Sequence, residues 1–283
     1  MTALNTQVPA APRATAHDSS RQSHVVADAI TMLRRNLLHM VRYPGLSMFT
    51  ILGPVVILLL TVFVFGGTLG AGLPGVNPAG ARDAYLAYVM PGILLITIAG
   101  TASGAAITVA MDMTEGITAR FRTMAISRAA VLAGHVLGNT IQAIIAVTLV
   151  LGIGLAVGFR PMAGPVEWLA AAGLIVLIAF AVSWVGVAMG MQSKTVETAS
   201  NLPLILTILP LLGSGFVPTG SMPVWMQWFA QYQPFTPFIE TIRGLLLGIP
   251  LGWNTVLAIG WSVVIAMAGY AWSMVIYERK SVR

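Results

Sequence analysis

The chain is 283 residues long, 57% apolar and only 8% charged, with a mean hydropathy of +0.85 and a net charge of +6. Soluble globular domains average about 25% charged and about 45–50% apolar residues, so a cytosolic enzyme and a disordered chain are both excluded and a membrane protein is indicated. The absence of cysteine removes disulfides, thiolate nucleophiles and cysteine metal sites.

Residues 1–24 are rich in Ala, Thr, Ser and Pro without an apolar run, and read as a disordered cytoplasmic tail. A cleavable signal is not expected, because the first apolar stretch starts about 45 residues in and exceeds the roughly 7–15 residues of a signal core. Residues 25–43 are amphipathic: Val26, Ile30, Leu33, Leu37 and Val41 recur at helical spacing, opposite Asp28, Arg35, His39 and Arg42. Pro44 ends this element. It is expected to lie in the membrane interface with Arg34 and Arg35 near anionic lipid, either as a passive anchor or as a transmitter of force.

From there the apolar residues come in unbroken runs rather than in the alternation of a barrel strand. Six runs are long enough to be candidate spans: 46–65, 84–111, 129–159, 168–191, 202–216 and 253–276. None contains Asp, Glu, Lys or Arg. The fifth is short and holds Pro203 and Pro210, which predicts a kinked or broken helix. The third is long enough to tilt or to project. The expected fold is an all-α integral membrane protein of six transmembrane helices, with an amphipathic interfacial helix before them.

Six crossings put both termini on one side. Twelve of the 15 Lys and Arg fall on that side, against Arg82, Arg160 and Arg243 on the other. Positive charge is retained in the cytoplasm, so both termini are expected inside a multi-pass protein of the cell membrane. Asp83, Glu167 and Glu240 balance the three outer cations, so the whole excess of +6 lies inside. The basic balance is therefore a topology signal and does not call for a nucleic-acid partner.

Between the second and third spans, residues 112–128 place Ile117, Phe121 and Met124 on one helical stripe beside Arg120 and Arg122. A short helix here would offer an apolar ridge to a groove on a partner; an ordinary basic loop satisfies the charge rule equally well. The loop 192–200 is short and polar. Residues 217–252 carry five prolines and the aromatic group Trp225, Trp228, Phe229, Tyr232, Phe235 and Phe238, suited to the headgroup level. Two short helices, 224–229 and 238–247, are expected there, re-entrant or flat on the outer surface. Glu240 and Arg243, three apart on the second, form a structural ion pair in preference to a substrate site.

Chemistry-bearing motifs are scarce. No Gly-Lys dipeptide exists, so the phosphate loop of nucleotide-hydrolysing proteins is absent. His17, His24, His39 and His135 form no H-E-x-x-H pair. Asn139 and Gln142 are the most polar residues of the spans and suit interhelical hydrogen bonds. A self-sufficient channel or secondary transporter is the alternative reading, against which stands the lack of ionisable residues in the spans.

Two stretches carry a family resemblance. The first is Glu115-Gly-Ile-Thr-Ala-Arg-Phe-Arg-Thr-Met-Ala-Ile-Ser-Arg128, continuing to Gly134 and His135. The second is Gly215-Phe-Val-Pro218, Met222-Pro-Val-Trp225 with Gln227, Gln233-Pro-Phe-Thr236 and Arg243-Gly-Leu245. In this order and topology they resemble the membrane subunit of a type-2 ABC exporter of the daunorubicin-resistance permease kind, over nearly the whole chain after residue 24.

The resemblance implies a division of labour. Two copies of a separate cytosolic ATPase would bind ATP and Mg, leaving this chain without a cofactor or a catalytic role. Residues 112–128 would be the coupling helix that docks on that ATPase, through Glu115, Gly116, Ile117, Arg120, Phe121, Arg122 and Met124. Residues 25–43 would be the connecting helix, with Leu33, Arg34, Arg35 and Leu37. Residues 217–252 would form the outer re-entrant segment, with Pro218, Met222, Pro223, Trp225, Pro234, Glu240 and Arg243. A second permease chain, identical or closely related, would complete a path lined mainly by spans one, two and five. The cargo would be hydrophobic or amphiphilic: a drug, an antibiotic or a lipid-like compound.

Overall fold

The computed structural model describes residues 44–114 and 128–281. The amphipathic segment 25–43 and residues 115–127 of the coupling segment lie outside them. All regular structure among the described residues is helical.

Pro44–Leu60 (α1), a single π-helical turn Thr61–Phe65 and Gly66–Ala71 (α2) follow one another without interruption. They extend the first expected span beyond residue 65. A short turn Pro78–Gly80, capped by the Asn77 side chain accepting from the Ala79 amide, leads into Ala81–Thr114 (α3). With 34 residues α3 is about 51 Å long, against a hydrocarbon layer of about 30 Å, so it projects beyond the bilayer. It is also the innermost helix, buried from Tyr85 to Ala110 along most of its length.

Arg128–Val157 (α4) ends at Gly158, whose φ of 123° takes the chain out of the helix. The Arg160 guanidinium donates to the carbonyls of Leu155 and Phe159 at 2.7 and 3.0 Å, satisfying acceptors at that terminus. Pro165–Gln192 (α5) starts on its proline, where no amide hydrogen is needed. Asn254–Ser281 (α10) is the last long helix. It packs along α5, where Gly269 admits Trp184: a Cβ at Gly269 would stand 2.8 Å from the Trp184 Cβ. The Trp184 ring meets Tyr270 edge-on at 5.1 Å.

Five helices are long and apolar enough to cross a membrane. The fifth expected span, 202–216, is not one of them: it is the short, broken segment that Pro203 and Pro210 predict. In its place stand Val196–Asn201 (α6), Leu204–Ile208 (α7) and a run of turns to residue 216. The prolines are the reason: Pro203 separates α6 from α7, and Pro210 follows α7 by two residues. The broken segment nevertheless travels along the bundle. Gly190, just before it, abuts Ala106 of α3, whereas Gly215, near its end, abuts Gly92. Those α3 positions are about 21 Å apart.

Val224–Tyr232 (α8) and Phe235–Leu247 (α9) follow, each beginning after a proline. Gly248 closes α9 in the left-handed conformation, its amide returning to the Gly244 carbonyl. α3 touches α1, α2, α4, α5, α6, α7 and α9, so the bundle is organised around it.

Candidate functional site

Two places bring sequence-selected residues together, one at each end of α3. At the end where α3 stops and α4 begins, His135 Nε2 lies 3.4 Å from Asp112 Oδ2, with both side chains largely buried. This pair joins α3 to α4 on either side of residues 115–127. Glu115, Gly116, Ile117, Arg120, Phe121, Arg122 and Met124 fall within that interval and outside the described residues, as do Leu33, Arg34, Arg35 and Leu37. Beyond α5 at the same end, Thr195 caps α6 by accepting from the Thr198 amide at 3.2 Å. The exposed Glu197 carboxyl is held below the ordinary carboxylate range by its own amide and by the Thr195 hydroxyl.

At the other end α9 lies against α3 and the broken segment. Arg243, with a side chain 5% exposed, is the centre of the contact. Its Nη1 donates to Glu240 Oε1 at 2.6 Å. Its Nε and one Nη2 bond reach the Tyr88 carbonyl at 3.2 and 2.9 Å, and Nη2 also reaches the Ser214 carbonyl at 2.7 Å. The guanidinium carbon stands 3.9 Å from the centroid of the Tyr88 ring. One planar, permanently charged group thereby clamps α3, the broken segment and α9. Three further guanidinium donor contacts fall on carbonyls, which offsets part of the cost of burying the charge.

Close backbone approach makes the clamp reachable. A Cβ at Gly92 would stand 2.8 Å from the Gly215 Cα and 2.9 Å from its carbonyl oxygen, so the turn before Phe216 rests directly on α3. The Tyr85 hydroxyl donates to the Phe216 carbonyl at 3.3 Å. From the other side the Gln233 amide nitrogen donates to the Leu209 carbonyl at 3.0 Å. The Thr236 hydroxyl donates to the Ala230 carbonyl and accepts from the Ser214 amide.

The other residues selected from 217–252 shape this segment without entering the clamp. Pro218 opens the turn Thr219–Ser221 and accepts from the Ser221 amide. Met222 closes that turn, and Pro223 and Pro234 stand at the starts of α8 and α9. Trp225 is exposed on α8. Sequence reading found the Glu240–Arg243 spacing but missed Tyr88, Ser214 and the Gly92–Gly215 contact. The glycines were visible; their partners, being backbone atoms far away in the chain, carry no sequence signal.

Midway along the bundle, the Asn139 side-chain nitrogen donates to Ser183 Oγ at 2.8 Å, and Ser183 donates on to the Ala179 carbonyl. This links α4 to α5. Among the described residues no group of three His, Asp or Glu gathers to hold a metal ion. Nor do the clamp's groups offer chemistry: the guanidinium cannot release a proton, and its donors face carbonyls and Glu240. The arrangement sets the packing of α8, α9 and the broken segment against a central helix.

Comparison with known proteins covers both ends of this arrangement. The family model described as ABC-2 type transporter matches residues 28–247. The chain is 26% identical over 258 residues to the daunorubicin resistance ABC transporter permease protein DrrB1 of Streptomyces coeruleorubidus, spanning 90% of this chain and 88% of that protein. It is 25% identical over 202 residues to a protein described as a probable doxorubicin resistance ABC transporter permease, DrrC, in two strains of Mycobacterium tuberculosis. That match spans 71% of this chain and 72% of the relative.

Proposed function

The chain belongs to the ABC-2 type transporter family, and from that premise we propose that it is the permease through which an ATP-driven exporter moves a hydrophobic or amphiphilic compound out of the cell. It is a multi-pass membrane protein, and membership implies an ATPase partner. The observation that carries the proposal is the extent of the family match, 28–247, which includes the coupling-type segment, four of the long helices and the outer clamp. The missing Gly-Lys dipeptide supports energy supplied from outside the chain, since no phosphate loop can be built here.

The finer assignments are part of the same proposal. Two ATPase copies bind ATP and Mg; residues 112–128 dock on them, and 25–43 form the connecting helix. Two permease chains, identical or closely related, enclose the path between them, with both termini cytoplasmic. The drug-resistance names of the relatives support a greasy cargo of the drug or antibiotic kind. The apolar walls agree with such a cargo, and much of that surface also faces lipid.

The test is uncoupling. Arg120→Glu or Phe121→Asp, in a chain co-reconstituted with its ATPase, is expected to abolish transport-stimulated ATP turnover while insertion into the membrane is unchanged. Stimulated turnover equal to wild type in both variants overturns the coupling assignment. Uphill solute movement by the isolated chain overturns the whole reading.

A further inference from the structure

The outer charges of this chain sum to zero in sequence, but the fold does not pair them all. Arg160 is bound to the carbonyls that end α4. Arg243 is buried in the clamp with Glu240. Arg82, at the start of α3, is exposed, and among the described residues it has no carboxylate within ion-pair distance. Its neighbour Asp83 is about 100° away around the helix and does not share its face.

The Arg82 guanidinium carbon stands 4.6 Å from the centroid of the Phe63 ring. Gly66 makes this possible: a Cβ there would stand 3.0 Å from the Arg82 Cγ, so the arginine stem crosses at Gly66 and its head reaches Phe63. The π-helical turn Thr61–Phe65 presents Phe63, Val64 and Phe65 to the outside in succession, 55%, 61% and 45% exposed. Below them Leu60 and Val56 continue the apolar face for about 10 Å. A cation thus stands at the head of an exposed apolar helix face, at the end of the bundle opposite the Asp112–His135 pair.

We propose that Arg82 and the exposed 56–64 face bind an anionic phospholipid of the leaflet at that end, its phosphate on Arg82 and its upper acyl carbons along Leu60 and Phe63. Charge selects this occupant. A guanidinium held at a ring face keeps its edge donors for a phosphate, whereas a zwitterionic lipid brings an ammonium of its own to compete. The exposed face supplies apolar contact for the upper part of an acyl chain.

The experiment uses the full chain in vesicles of equimolar phosphatidylglycerol and phosphatidylcholine, with retained lipids counted by native mass spectrometry after gentle extraction. Wild type is expected to retain phosphatidylglycerol in preference. Arg82→Gln is expected to lower the retained ratio about fivefold, the weight of one basic side chain at an anionic surface. Arg160→Gln, which removes a cation at the same end of the bundle, is expected to leave the ratio unchanged. An unchanged ratio in Arg82→Gln, or an equal fall in both variants, overturns the proposal. Should Arg82→Gln fail to insert, Arg82→Lys supplies the reading: it is expected to keep part of the preference, and full retention at the wild-type ratio counts against a phosphate seated on the guanidinium fork. A second copy is the other candidate occupant. Phe63→Cys in this cysteine-free chain is expected to form no disulfide between the paired permease chains under oxidation in the same vesicles, and a disulfide-linked dimer overturns the assignment to lipid.

Discussion

Arg243 ties together segments that lie far apart in the chain: α3 through the Tyr88 carbonyl, the broken segment through Ser214 and its own helix through Glu240. Removing it leaves two carbonyls and a half-buried carboxylate without their donor. Arg243→Ala is therefore expected to destabilise the fold by about 3–5 kcal/mol, the usual cost of removing one partner of a buried pair. Arg243→Lys is expected to recover only part of this, because an ammonium presents a point charge where a planar fork is required. Thermal unfolding of the detergent-purified chain reads both effects, and a wild-type midpoint in Arg243→Ala would show that the clamp holds nothing. The spacing of Glu240 and Arg243 is legible in the sequence; the acceptors at Tyr88 and Ser214 are not, since every residue carries an identical carbonyl.

Small residues decide how α5 meets α3. A Cβ at Gly186 would stand 2.5 Å from the Ala102 carbonyl oxygen, and one at Gly190 would meet that of Ala106. The two glycines are four residues apart, as are the two alanines, so the helices run side by side with backbone against backbone over one turn. This spacing of small residues drives helix association in lipid, where apolar side chains alone do not. Gly186→Leu is expected to cost about 1–3 kcal/mol through overpacking, while Gly173→Leu on the same helix, with nothing within 4 Å, is expected to be neutral. Equal thermal midpoints for the two variants would remove close packing as the explanation. The glycines are visible in the sequence, but Gly173 and Gly186 look alike there, and only the facing helix separates them.

Over the whole molecule, the absence of cysteine makes topology directly readable. The proposed orientation places Met162 and Val224, both 82% exposed, on the outer side and Lys194 on the inner side. Met162→Cys and Val224→Cys are expected to react with an impermeant maleimide on intact cells, and Lys194→Cys only after permeabilisation. Labelling of Lys194→Cys on intact cells would reverse the orientation, and a Val224→Cys that reacts only after permeabilisation would remove the crossing made by the broken segment. That segment is where the count of spans departs from hydropathy. Five helices are long enough to cross, and the proposed sixth passage is made by α7 and the turns that follow it, resting on α3. Irregular backbone at such a depth is tolerable because protein shields it: Gln233, Thr236 and Tyr85 engage its polar groups.

Hydropathy and charge are sums over local residues, so the helical class, the long spans, the break at Pro203 and Pro210 and the uneven distribution of Lys and Arg were all determined by sequence alone. The tertiary structure decided which atoms meet. It chose the carbonyls that receive Arg243, the turn that rests on Gly92 and the glycines that face a neighbour. It also left Arg82 over Phe63 with no carboxylate partner among the described residues. The physical reason is that backbone acceptors and close approaches depend on distance in space, and nothing in the identity of a residue records what will lie beside it.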